Sequence, residues 1–198
     1  MTLTGLDEEI RALLEAGDVR RATTRALQEL GPQVLGFLSG ALGDDDADEV
    51  FSRLSVRLWK SLAGFQSRCA LRTWIYVLAR QEIGRYQRRA RKHVNGRVPI
   101  SQLADVLEDV RLRTRTTVVA ERQRTVSKLR AELPIEDRTL LILRVDRRLS
   151  WDEVALAFVA DPETCTEADK KRECARLRKR FQLIRERLVK RAREEAAP

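Results

Sequence analysis

Two clusters of positive charge are the first residues in this chain whose type and spacing suit a task. Arg85, Arg88, Arg89, Arg91 and Lys92 put five cations into eight residues. They end an amphipathic stretch, RTWIYVLARQEIGRYQRRARK at 72–92, which holds seven basic residues and one acid, Glu82. The second cluster lies near the C-terminus. With about 100° of rotation per residue, Lys171, Arg172, Ala175, Arg176 and Lys179 share one helix face. Opposite them runs an apolar stripe of Cys174, Leu177, Phe181, Ile184 and Leu188, spaced 3, 4, 3, 4. Arrays of this kind do non-covalent chemistry: they neutralise phosphates and donate to base edges. A helix C-terminus attracts one or two cations through its dipole, not five. For the second cluster the plainer alternative is a helical hairpin with a solvated basic face.

Residues suited to covalent chemistry are few. His93 is the single histidine, and beside a basic run it reads as a solvated or phosphate-adjacent group rather than a base. Cys69, Cys165 and Cys174 have neither CxxC spacing nor a histidine partner, so no metal site is expected. Cys174 falls on the apolar stripe, and Cys165 falls in a turn where it is a candidate redox-sensitive thiol. No glycine loop of the phosphate-cradling kind occurs. Asp44, Asp45, Asp46, Asp48 and Glu49 could hold a cation, but acids at a helix start are the simpler reading. The chain is expected to be a binding protein without cofactor, not an enzyme.

The elements that position these residues are helical. Heptad-like spacing predicts helices over 7–17 and 19–31, with a break at Gly31-Pro32. An apolar stretch at 33–43 follows as core. A helix starts near Asp46 and presents Val50, Leu54, Leu58 and Leu62 inward, with Trp59 beside them. Residues 63–70 are a loop. In the next helix, Leu71, Ile75, Leu78, Ala79 and Tyr86 share one side, and Thr73, Val77, Arg80, Gly84, Gln87 and Arg91 the other. The pattern weakens from about 93 to 118, which reads as a partly helical linker. Helical pattern returns at 120–133 and 135–145, where Leu140, Leu141, Leu143 and Val145 supply core. Ser150 and Glu153 form a capping box, 159–165 is a turn, and Thr166 with Asp169 starts the last helix near Glu167. The fold class is all-α: two small helical domains, 1–92 and 119–198, joined by a linker at 93–118.

Composition agrees. Charged residues make up 35% and hydrophobic residues 43%, while nine Gly and five Pro leave little room for a turn-rich β protein. A net charge of +9 and a pI of about 10.1 point to a polyanionic partner. No stretch approaches the roughly 18 apolar residues of a membrane span. The first residues lack the basic start and apolar middle of a signal peptide. An odd number of scattered cysteines suits a reducing cytoplasm. Two helices joined by a turn, the second basic on its outer face, describe a helix-turn-helix.

The order of these pieces resembles the extracytoplasmic-function (ECF) sigma factors of bacterial RNA polymerase over nearly the whole chain. GPQVLGFLSGALGDDDADEV, VRLWKSLAGF and LRTWIYVLARQEIGRYQRR look like region two; ELPIEDRTLLILRV, SWDEVALAF and the basic last helix look like region four. The resemblance implies core RNA polymerase and promoter DNA as partners and leaves room for an anti-sigma factor. It implies that Lys171, Arg172, Ala175, Arg176 and Lys179 read a −35 element. It implies a −10 surface made by Gln66, Ser67, Arg68, Leu71, Arg72, Trp74, Arg80, Gln81, Arg85 and Arg88, with a flipped base held at the loop. It places polymerase docking on Asp48, Glu49, Ser52 and Arg53. Ser52 and Arg53 stand where the family carries Gln-Glu or Gln-Asp, Ser55 where it carries Phe, and Gln81 where it carries Asn. The turn at 159–165 is longer than usual. The alternative is a helix-turn-helix regulator that does not dock on polymerase.

Overall fold

The computed structural model describes residues 3–90, 104–121, 130–159, 162 and 164–195. Arg91, Lys92 and His93, most of the expected helix at 120–133, and part of the long turn lie outside them. Among the described residues there are helices and connecting turns and no strand, so the chain is all-α. It divides into two compact units, Met1–Thr116 and Thr117–Pro198.

The first unit is built from α1 (Leu3–Glu15), α2 (Val19–Leu42), α3 (Asp44–Leu62), α4 (Leu71–Ala90) and the start of α5 (Ala104–Glu121). The helix α2 packs along α3, α4 packs on both, and α1 closes on α2. Asp18 caps α2 by accepting from the Arg21 N–H at 2.9 Å. The expected break at Gly31-Pro32 does not occur: α2 runs through Pro32 unbroken. Proline removes one backbone bond, but Leu27, Leu30, Val34, Leu35, Phe37 and Leu38 are all buried around it. Each buried side chain of this size contributes about 1.5–3 kcal/mol, which outweighs the roughly 3 kcal/mol cost of an interior proline.

Gly43, at φ +93°, turns the chain between α2 and α3. Asp44, Asp45 and Asp46 then fill the first turn of α3, two residues earlier than expected. The inner face is as the spacing predicts, with Val50, Leu54, Leu58 and Leu62 fully buried. In α4 the buried surface is wider than one stripe. Thr73 and Val77, expected on the outer side, are buried together with Tyr76 and Ile83. The reason is tertiary: α4 meets α2 and α3 on two flanks, and the Tyr76 ring stands edge-on to Phe37 at 5.5 Å.

Part of the stretch expected as linker is the helix α5, whose Leu107, Val110 and Thr114 are buried.

The second unit holds α6 (Ile135–Leu141), a π-helical turn (Ile142–Asp146), α7 (Trp151–Phe158) and α8 (Glu167–Glu195). Leu140, Leu141 and Leu143 are core, as expected, but Val145 is exposed. The wider π turn rotates it off the inner face. The Ser150–Glu153 capping box forms in both directions, and Thr166 and Asp169 cap α8 reciprocally. Cys174, Leu177 and Ile184 bury the α8 stripe, while Phe181 packs edge-on to Trp151 at 5.6 Å. Asp137 at the start of α6 ties down α8 through Arg180 Nε at 2.5 Å.

Candidate nucleic-acid interface

In the first unit the candidate surface is the 63–70 loop and the α4 helix behind it. Leu62 is buried and ends α3, so the chain must turn at once. Gln66, Ser67 and Arg68 are exposed at the loop crest. Ser67 sits at φ +54°, a left-handed conformation that costs a non-glycine residue about 1–2 kcal/mol. The loop is backed by aromatic packing: the Phe65 and Trp74 rings lie 4.9 Å apart at 38°. The Arg72 guanidinium stacks over Tyr76 at 5.7 Å.

Leu71 differs from its expected role. It is fully buried, and its N–H donates to Asp7 Oδ2 at 3.3 Å. It anchors the loop and does not face outward. Asp7, from α1, satisfies a free N–H at the start of α4, a bond across 64 residues. Burial foremost raises its pKa, against the lowering effect of the Leu71 bond. No local motif marks Asp7 in the sequence.

Along α4, Arg80 and Gln81 are half-buried, and Arg85 and Arg88 are exposed. Glu82, the lone acid of the stretch, is buried beneath them. Its Oε1 accepts from Arg85 at 2.5 Å and from Arg57 of α3 at 3.1 Å. Arg57 also donates to Gln81 Oε1. Burial and the nearby Arg85 lower the Arg57 pKa, while Glu82 works the other way. Arg57 therefore holds Gln81, expected at the DNA surface, together with the buried Glu82, and sequence reading missed it because its partners lie 24 and 25 positions away.

The residues expected to dock polymerase occupy one flank of α3. Glu49 is exposed and pairs with Arg53, whose side chain is only 9% exposed. The Ser52 hydroxyl donates to the Asp48 carbonyl at 2.9 Å. Arg111 of α5 reaches both: its Nε donates to Asp48 Oδ1 at 3.3 Å and its Nη2 to Ser52 Oγ at 2.9 Å. Ser55 is fully buried and donates to the Phe51 carbonyl. Position 55, where the resemblance led to the expectation of Phe, is thus an interior position. The acids Asp44, Asp45 and Asp46 lie in the first turn of α3, where the helix dipole favours them, and Asp46 also cross-links to α4 by accepting from the Tyr86 hydroxyl at 2.6 Å. Among the described residues no metal-holding cluster occurs.

In the second unit, α7 and α8 make a helical pair whose outer surface is α8. Lys171, Arg172, Ala175, Arg176 and Lys179 lie on it, opposite the buried stripe, and all five are exposed. Arg176 pairs with Glu173 at 2.6 Å and Arg172 with Asp169 at 3.5 Å. Such exposed pairs are weak and exchange readily for phosphate. The Cys174 thiol donates to the Trp151 carbonyl at 3.3 Å, and burial foremost pushes its pKa up, with Asp152 adding to the shift. Burial likewise raises the Cys165 pKa, with help from Asp169. Both thiols are held away from the reactive thiolate form. No helix among the described residues is long and apolar enough to cross a membrane.

The chain is thus all-α, with exposed basic side chains on α4 in one unit and on α8 in the other. Residues 26–93 match the family described as sigma-70 region 2. The match lies within the first unit and includes α3, the loop and α4. The first unit therefore carries a region similar to sigma-70 region 2. The match supports a role in promoter recognition by RNA polymerase. No curated protein matches the chain.

Proposed function

We propose that this chain is an ECF-type sigma factor that binds core RNA polymerase, recognises a two-part promoter and holds the opened −10 strand. The observation that carries the reading is the crest of exposed Gln66, Ser67 and Arg68. It is held in a strained turn over the Phe65–Trp74 pair, beside the basic end of α4 and inside the sigma-70 region 2 match. Capturing an unstacked base at such a loop offsets the cost of opening the duplex. Arg80, Gln81, Arg85 and Arg88 then follow the strand backbone or neighbouring duplex. The exposed face of α8 enters the major groove of a −35 element, where Ala175 permits close approach and the flanking cations contact bases and phosphate. Polymerase docks on Asp48, Glu49, Ser52 and Arg53. The protein acts in the cytoplasm by binding, with no catalytic group of its own.

A second reading is a duplex-binding regulator that does not dock on polymerase. The engagement of Asp48 and Ser52 by Arg111 favours it. Transcription from genomic fragments by bacterial core polymerase, with and without the protein, separates the two. Discrete new transcripts sharing two upstream elements establish the sigma factor. Specific duplex binding by the protein alone, without transcripts, establishes the regulator.

A further inference from the structure

The helix α4 begins without a side-chain cap from its own N-cap residue. The Ala70 carbonyl accepts from the Trp74 N–H at 3.1 Å, which makes Ala70 the N-cap, and an alanine side chain offers no acceptor to a helix start. The acceptor comes from α1, where Asp7 Oδ2 takes the Leu71 N–H at 3.3 Å. Leu6 and Ile10 anchor α1 in the core, and Glu9 pairs with Arg25 of α2 at 3.0 Å. A helix fixed on the core thus delivers the carboxylate. The bond fixes the far end of the 63–70 loop. Leu62 and Leu71 are fully buried, and Gln66, Ser67 and Arg68 stand exposed between them. Arg72, stacked on Tyr76, and Trp74, packed on Phe65, follow within one turn. Ser67 holds a left-handed backbone, and such strain persists only where the surroundings hold it in place. Charge stability does not account for Asp7. Burial foremost raises its pKa, so the folded chain holds the proton more tightly than the unfolded one, and above the folded pKa the ionised carboxyl works against folding.

We propose that α1 is part of the strand-capturing site and that Asp7 is its positioning residue, capping α4 from another helix so that the crest at 66–68 is set for an unstacked base. The inference rests on the −10 role given to this loop above. It adds an element that lies outside the 26–93 match. Asp7 acts through Leu71 and not by touching the strand. If the start of α4 shifts, Arg72 and Trp74 shift with it and the crest loses its backing. Strand opening then suffers, while duplex recognition by α8 does not.

The test uses the full chain with bacterial core polymerase on a promoter recovered by the genomic transcription experiment. Gel shift measures promoter binding, and permanganate reactivity of −10 thymines measures opening per bound complex. Asp7→Ala is expected to lower opening per bound complex about fivefold, the worth of one net hydrogen bond, with binding unchanged. Asp7→Asn keeps an acceptor oxygen and loses only the charge at the helix start, so it is expected to open within about twofold of the parent chain. Ala70→Ser, at an exposed position, supplies a local cap and is expected to restore opening to the Asp7→Ala chain. Thermal unfolding of each chain, with the Ala70→Ser pair as a second arm, separates misfolding from mispositioning. Equal opening by the Asp7→Ala and parent chains overturns the proposal. A loss shared equally by binding and opening, or one that Ala70→Ser does not restore, makes Asp7 a residue of the fold alone and overturns it too. If the parent chain with polymerase opens no promoter, the −10 role of the loop itself fails.

Discussion

The Arg57 guanidinium on α3 donates to Gln81 Oε1 on α4. Arginine has no acceptor, so the Gln81 carbonyl oxygen must face it and the amide N–H groups remain for a ligand. Gln81 can therefore offer donors to a base or phosphate but not an acceptor. Arg57→Met keeps most of the aliphatic stem and frees the amide to turn. Selectivity at one promoter position should relax by about fivefold, the equivalent of one hydrogen bond. Transcription from a library randomised across the −10 element reads this directly, and an unchanged profile would remove Gln81 from base recognition.

Arg85 and Arg88 should differ in their effect on the salt dependence of DNA binding. Arg88 is exposed, whereas Arg85 is tied to the buried Glu82 at 2.5 Å. Arg88→Ala should lower the slope of log affinity against log salt by about 0.7–0.9 if it contacts one phosphate. Arg85→Ala should add a stability loss, because Glu82 then loses one of its two arginine partners. Titrations at several salt concentrations, paired with thermal unfolding, separate the two. Equal slopes for all three chains would make both arginines a solvated helix end.

Ser67 holds a left-handed backbone at the loop crest. Ser67→Gly relieves that strain and should raise stability by about 0.5–1 kcal/mol, seen as a higher urea midpoint. The same change loosens the loop, so promoter opening should weaken while duplex binding stays constant. Permanganate footprinting of the opened strand measures the loss.

The Tyr86–Asp46 bond carries a pH signature. Its hydrogen bond to Asp46, then burial, pushes the Tyr86 pKa up to about 12. In the unfolded chain tyrosine titrates near 10. The folded state thus holds the proton more tightly. This stabilisation is complete below about pH 10 and is lost as the pH rises towards the folded value of about 12. Tyr86→Phe should cost about 1–2 kcal/mol at neutral pH. The gap between the two chains should shrink across that alkaline window. A gap that stays constant would show that the hydroxyl does not bond Asp46.

On α8, Arg176→Glu with Lys179→Glu should abolish recognition of the upstream element. The carboxylate introduced at position 176 would face that of Glu173 one turn away, a helix cost of only about 0.2–0.5 kcal/mol, so folding should survive. Circular dichroism checks the fold, and transcription from promoters with altered upstream elements checks the reading. Unchanged promoter use would reassign that face.

What the sequence by itself determined was local. The periodicity of Val50, Leu54, Leu58 and Leu62, the Ser150–Glu153 box and the opposed faces of α8 each depend on residues a few positions apart. The steric rules of one helix settle such patterns before anything packs on it. Tertiary structure decided the rest. Proline marks a break in isolation, and only the core around Pro32 keeps α2 whole. Leu71 falls on the apolar side of α4 by its spacing, but the bond of its N–H to Asp7 of α1 follows from no local pattern. Val77 and Thr73 are interior because α4 has two neighbours. The reach of Arg57 to Gln81, of Asp7 to Leu71 and of Arg111 to Asp48 spans 24, 64 and 63 positions. No periodicity encodes such pairs. They form when burial of apolar faces fixes the helices in place, and only then do polar side chains at the edges find one another.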